Sequence, residues 1–174
     1  DIFKSKVSLW KRFIDDGCGI FNGTIGDFLN WYSMLQAIFN NYNLELTCDT
    51  DSYTVNDRNE YFEKEEKGIT FLDIDIFKSD GTIQTKEHRK ETSSNFYLRI
   101  DSAHPRHTFA GIIKSQLYRV RKLCSREVDY NESVLKLKKR CINSGYNVKL
   151  IDSILGNSKY IQRNLDKVNT QSLL

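Results

Sequence analysis

The feature that most constrains this chain is a change of hydrophobic period near its only proline, Pro105. Ahead of it, apolar residues alternate with polar ones in short runs punctuated by Asp-Gly dipeptides. Beyond it they recur every three to four residues. A period of two places side chains on one face of a half-buried strand, whereas the longer spacing lays them along one stripe of a helix. The expected class is therefore α+β, with hairpins first and a helical bundle last. Hydrophobic and aromatic fractions of 39% and 12% give a globular composition for 174 residues, and they exclude a disordered, collagenous or low-complexity chain.

From Val7 to Phe21 the pattern predicts two short strands around Asp15-Asp16-Gly17, because Asp-Gly tolerates the positive φ of tight hairpin turns. Thr24 and Asp27 then stand at capping-box spacing, and Phe28, Tyr32, Leu35, Phe39 and Tyr42 form the stripe of one amphipathic helix. Leu44, Leu46 and Cys48 alternate as a half-buried strand. The polar stretch 49–67, with its Asn-Asp-Arg-Asn run, reads as a long loop or insertion. Ile69 to Phe77 predicts a single strand that turns through Ser79-Asp80-Gly81 into a polar strand from Thr82 to His88. After Pro105, Phe109, Ile112, Ile113, Gln116, Leu117, Val120 and Cys124 share a helix face, with Lys114, Tyr118 and Arg121 on the other. Val134, Leu137 and Cys141 mark a second helix ended by Gly145, and Val148 to Leu165 allows a third.

Charge is distributed unevenly. Residues 78–140 hold 15 Lys+Arg and 7 Asp+Glu, which leaves 11 and 16 for the rest of the chain. A block of +8 interleaved with Phe96, Tyr97, Phe109 and Tyr118 is the footprint of a surface that tracks phosphates, although a solvated helix face would carry the same lysines. Cys18, Cys48, Cys124 and Cys141 lack CxxC spacing, so reduced and mostly buried thiols are expected. No apolar run approaches the roughly 18 to 20 residues needed to span a bilayer, and no signal peptide opens the chain, so no membrane partner is expected and an intracellular protein is. Residue 1 is Asp and the only methionine is Met34, which suggests a piece of a longer protein.

The sharpest chemical signal is Asp15-Asp16. Two adjacent carboxylates at a hairpin tip offer oxygen ligands to a hard divalent cation, although Asp-Asp-Gly is also good turn chemistry. His104 and His107 at i, i+3 would need a third zinc ligand such as Cys124, and no spacing supplies one, so a structural or backbone-contacting role is favoured. Asp73 and Asp75 alternate with Leu72, Ile74 and Ile76, as expected for a solvated strand face. No Ser/His/Asp triad, phosphate-cradling glycine loop or dinucleotide fingerprint can be assembled.

Arg12-Phe13-Ile14-Asp15-Asp16 resembles the aromatic-x-Asp-Asp motif of reverse transcriptases. The later Thr70-Phe71-Leu72-Asp73-Ile74-Asp75-Ile76 resembles that family's palm continuation and primer-grip hairpin. Asp80-Gly81, Thr85, Arg89-Lys90-Glu91-Thr92, Tyr97-Leu98 and Ser102-Ala103-His104-Pro105-x-His107 are similar to the segment after the palm in Penelope-like element reverse transcriptases, which are related to the telomerase catalytic subunit. Glu91 stands where that family usually has proline. The resemblance spans roughly residues 8 to 165 and implies a partial palm of antiparallel hairpins with one packed helix over 1–92, then a helical thumb over 93–174. It implies an RNA-directed DNA polymerase fragment, nuclear, using Mg2+ or Mn2+ with RNA template, DNA primer and deoxynucleoside triphosphates. Asp15 and Asp16 would hold the metal, Phe71 and Leu72 the primer end. Arg89, Lys90, His104, His107, Lys114, Tyr118, Arg121 and Lys122 would meet nucleic acid. The fingers and the upstream palm half, with the other catalytic aspartate, have no counterpart in the residues before Asp15, so this chain alone is expected to be inactive. A non-catalytic nucleic-acid-binding module derived from such an enzyme is the alternative.

Overall fold

The structure is a computed structural model that describes residues 5–50, 53–55, 61–63, 68–90 and 96–161. It is α+β, and it divides into two compact units, Asp1–Leu72 with Ile76–Lys78, and Asp73–Asp75 with Ser79–Leu174. The Asn-Asp-Arg-Asn run and Glu91-Thr92 lie outside the described residues, and the third helix, expected as far as Leu165, ends at Leu155 because Gly156 caps it.

The first unit opens with an antiparallel hairpin of β1 (Val7–Phe13) and β2 (Asp16–Phe21). Phe13 pairs with Asp16, so the turn is Ile14-Asp15, two residues ahead of the expected Asp16-Gly17 turn. The reason lies in packing. A Cβ on Gly17 or Gly19 would come within 2.8 or 2.7 Å of the Trp10 ring, so these glycines form the bed on which the indole lies. Ile14 takes the turn's positive φ instead, at +53°, an uncommon and strained conformation for a β-branched residue. Trp10 and Phe21 pack on Trp31 and Phe28 of helix α1 (Ile25–Asn40), with ring centroids 6.0 and 5.5 Å apart.

Helix α1 starts in the expected capping box. The Asp27 amide donates to Thr24 Oγ1 (3.2 Å), and the Thr24 amide donates to Asp27 Oδ2 (3.1 Å). Tyr32 is buried and its hydroxyl donates to the Leu46 carbonyl (2.6 Å). Tyr42 lies past the helix end and is 73% exposed, so the apolar stripe outruns its cover. The strand expected over Leu44 to Cys48 shrinks to β3 (Cys48–Asp49), which joins β4 (Tyr53–Val55) and β5 (Tyr61–Glu63) in a small antiparallel sheet inside the expected loop.

The single strand expected over Ile69 to Phe77 is broken. A turn at Leu72-Asp73, with Leu72 at φ +56°, separates β6 (Ile69–Phe71) from β7 (Ile74–Ser79). Next, β8 (Thr82–Glu87) follows the Asp80-Gly81 turn, whose φ values of +52° and +75° match a type I′ hairpin, as the dipeptide predicts. Strand order is β6-β7-β8.

The second unit holds three mutually packed helices, α2 (Arg106–Leu123), α3 (Glu127–Asn143) and α4 (Val148–Leu155), with β8 against the first two. Its core holds Phe109, Ile113, Leu117, Val120 and Cys124 from the predicted stripe, with Tyr130, Leu137, Cys141, Tyr146, Ile151 and Leu155. Gly145, at φ +85°, ends α3 and lets the chain pass so close to Ile100 that a Cβ would sit 2.9 Å from its Cγ2. Tyr97 and Ile100 amides donate to Ser144 oxygens, which pins the segment leading to α2 onto that turn. Strand β8 is tied in as well. The Ser125 amide donates to the Thr85 carbonyl and the Thr85 amide to Ser125 Oγ, both at 2.8 Å. By contact, β8 therefore belongs with the helices, and the division falls earlier than the boundary at 92 that the polymerase resemblance implies.

Candidate nucleic-acid interface

Helix α2 buries its apolar stripe and leaves the opposite side to polar residues, as its 100° spacing requires. Lys114, Tyr118 and Lys122 are exposed. Arg121 is half-buried, because α4 packs beside it, and its Nε is enclosed with no hydrogen-bond partner among the described residues. Together α2, α4 and the residues after α4 form an open groove of about 670 Å3. Ala110, Leu117, Leu150 and Ile154 give it apolar walls, Lys114 and Arg121 line one side, and Ser153, Asn157 and Ser158 add hydroxyl and amide groups. The Lys122 ammonium stands 5.4 Å from the centre of the Tyr118 ring, a cation–π contact that supports a ring 60% exposed to solvent.

Such a groove offers charge to phosphates and an aromatic face to a base. Ser153 and Asn157 escaped the sequence reading, since a short polar row on an apolar helix carries no signal until α4 is laid beside α2.

The other predicted residues are dispersed. Arg89 is engaged inside the second unit, where its guanidinium donates to Glu87 (3.1 Å), Tyr97 Oη (3.1 Å) and Gln116 Oε1 (3.0 Å). Lys90 is exposed beside it. His104, whose Nδ1 lies 3.2 Å from Ser102 Oγ, and His107 are exposed at the start of α2. Cys124 is buried at its far end, roughly 25 Å away at 1.5 Å per residue, so the three do not converge on a zinc ion. Asp73 is exposed, as expected of a solvated face, but binds Arg119, whereas Asp75 is half-buried and binds His88 at 2.8 Å. In the first unit, Phe71 is half-buried and Leu72 exposed at the β6–β7 turn.

Asp15 and Asp16 stand together at the β1–β2 tip, both exposed, and neither carboxylate has an ion pair or hydrogen bond among the described residues. Arg12 is occupied locally, its Nε donating to the Ile14 carbonyl (2.7 Å). Two free carboxylates match the one or two that Mg2+ takes alongside waters and phosphates. A larger set of ligands is not assembled, since no three His, Cys, Asp or Glu side chains converge among the described residues.

Residues 96–155 match the animal helix-turn-helix domain family. No curated protein and no solved structure matches the chain. The matched stretch contains α2, α3 and α4, and the α3–α4 connection through Gly145 is the short glycine-bearing turn typical of helix-turn-helix units. In DNA readers of this kind the second helix contacts base edges with its first residues. Here α4 is an eight-residue helix with Lys149 as its one cation, and the first turn of α3 carries Glu127 and Asp129. Most cations of the unit sit instead on α2 and on the later turns of α3, where Lys136, Lys138, Lys139 and Arg140 follow that acidic start, a placement suited to the phosphate backbone. No described helix is long and apolar enough to cross a membrane.

Proposed function

We propose that this chain binds nucleic acid through the α2–α4 groove, as the thumb-like part of an RNA-directed DNA polymerase of the Penelope-like kind. The observation that carries the reading is the pairing of Lys114 and Arg121 with the exposed Tyr118 along one groove. Cations and a free ring in that arrangement favour sequence-independent contact with a template-primer duplex. The helix-turn-helix match over the same helices supports nucleic acid as the partner.

Asp15 and Asp16 extend the reading to catalysis. Their freedom from partners and the strained Ile14 before them favour a ligand-holding role, since strain persists where the turn's geometry matters. A Mg2+ or Mn2+ ion bound there would neutralise charge on the transferring phosphate. Two carboxylates are an incomplete set for two metals, so the upstream palm half has to bring the remaining one. The hairpin face away from α1 carries Leu9, Phe13 and Ile20, all partly or fully exposed, and suits cover by further palm structure. A nuclear location accords with this reading.

The test is a salt titration of binding to an RNA–DNA hybrid. Lys114→Gln with Arg121→Gln should make the slope of log affinity against log salt shallower by roughly one to two units, similarly for unrelated sequences. An unchanged slope with a lowered melting temperature would assign these residues to the bundle instead. In a longer enzyme with an intact palm, Asp15→Asn should abolish primer extension and spare duplex binding. Equal losses of both would remove the metal role.

A further inference from the structure

A second cleft in the helical unit, between β8 with the residues after it and α3, has a volume of about 550 Å3 and shares no residue with the α2–α4 groove. Seven basic side chains, counting His88, and four acidic ones line it. The acids are already engaged. Asp75 holds His88, Glu87 holds Arg89, Glu132 holds Lys136 and Asp129 holds Arg126 from outside the cleft. Lys90, Lys139 and Arg140 are left with no ion pair among the described residues. Moreover, Arg140 Nη1 is buried without a hydrogen-bond acceptor among the described residues. A desolvated guanidinium donor left unpaired is costly, and an anion in the cleft would relieve it.

We infer that this cleft binds a phosphate group through Lys90, Lys139 and Arg140. A planar guanidinium flanked by two ammonium groups suits a tetrahedral oxyanion. No aromatic side chain among the described residues lines the cleft, so recognition is assigned to phosphate and not to a base. Resting on the nucleic-acid reading above, the source of that phosphate is the backbone of the bound strand, which the unit then grips at two places. A free phosphate compound presents the same chemistry and is separated from it by the experiment.

The whole chain is titrated with an RNA–DNA hybrid across a salt series and, separately, with inorganic pyrophosphate while amide resonances of 136–143 are followed by NMR. Lys90→Gln with Lys139→Gln, both exposed, avoids the folding risk of changing Arg140. The double variant should make the salt slope shallower by about two units and weaken binding roughly ten- to a hundredfold near 0.1 M salt. Pyrophosphate should shift the 136–143 resonances in the unmodified protein and not in the variant. If the slope is unchanged while Lys114→Gln with Arg121→Gln lowers it, the cleft proposal fails and the groove stands. If no hybrid binds yet pyrophosphate shifts those resonances, the cleft is a site for a free phosphate compound and the nucleic-acid reading fails.

Discussion

The two units bury their apolar residues to very different degrees. In the helical unit eleven residues form one continuous buried cluster, whereas in the hairpin unit Tyr32 and Val55 are the buried hydrophobics among the described residues. Trp10, Phe13, Ile14, Met34, Ile38 and Leu44 of the hairpin unit are all more than half exposed. The contrast follows from geometry. Three helices can each turn a stripe toward a common axis, but a two-stranded hairpin can lay only one face on a single helix, and such a hairpin is marginal alone. Low local cohesion is also what a surface needs if further structure is to dock on it. The free carboxylates therefore sit on the loosely packed unit and the basic groove on the firm one.

Thiol labelling should separate the units most widely. Burial pushes the Cys124 thiol up, and Cys141 up to about 11, and both lie in the helical core. Cys18 and Cys48 are only half-buried. With a thiol reagent near pH 8, Cys18 and Cys48 should react on mixing, and Cys124 and Cys141 on the order of a thousandfold more slowly, through opening of the bundle. Comparable rates for all four would break the comparison.

Core truncation comes next. Leu137→Ala, at a residue 1% exposed, should cost about 2 to 5 kcal/mol in denaturant unfolding followed by helical circular dichroism. Tyr42→Ala in the other unit should stay within about 0.5 kcal/mol. Gly145→Ala tests the α3–α4 turn. Its positive φ and the close approach of Ile100 should make it costlier than the roughly 1 kcal/mol of an ordinary glycine exchange, with loss of the hydrogen bonds from Tyr97 and Ile100 to Ser144 visible by hydrogen exchange.

The smallest effect is an acid titration of the first helix cap. The ammonium of Lys6, 2.8 Å away, and then the Thr24 backbone hold the Asp27 carboxyl down to about 2. A depressed folded value means that the cap's contribution is complete above the unfolded value of about 3.9 and is lost as pH falls toward about 2. Carboxyl NMR should show Asp27 titrating at the bottom of that window.

Legibility divided along the same line as packing. The stripe from Phe109 to Cys124, the capping box at Thr24 and the Asp80-Gly81 turn were readable because each depends on residues a few positions apart. The break at Leu72-Asp73 was hidden, since alternation continues in the letters across a turn. The turn at Ile14-Asp15 was displaced by two residues because glycine's preference for positive φ lost to the space Trp10 requires. For the candidate site, Lys114, Tyr118 and Arg121 could be placed on one helix face from spacing alone. That α4 closes a groove beside them, that Arg89 turns inward to Glu87, Tyr97 and Gln116, and that Asp73 and Asp75 find Arg119 and His88 all depend on partners distant in the chain.

By itself, then, the sequence determined the α+β order of elements, the apolar face of each long helix and the presence of two carboxylates at a hairpin tip, because backbone period and turn chemistry act over a few residues. Tertiary structure alone decided which charges are spent on one another and which remain free. Pairing is a matter of distance in space, and an arginine reads the same in the sequence whether it meets a buried glutamate or water.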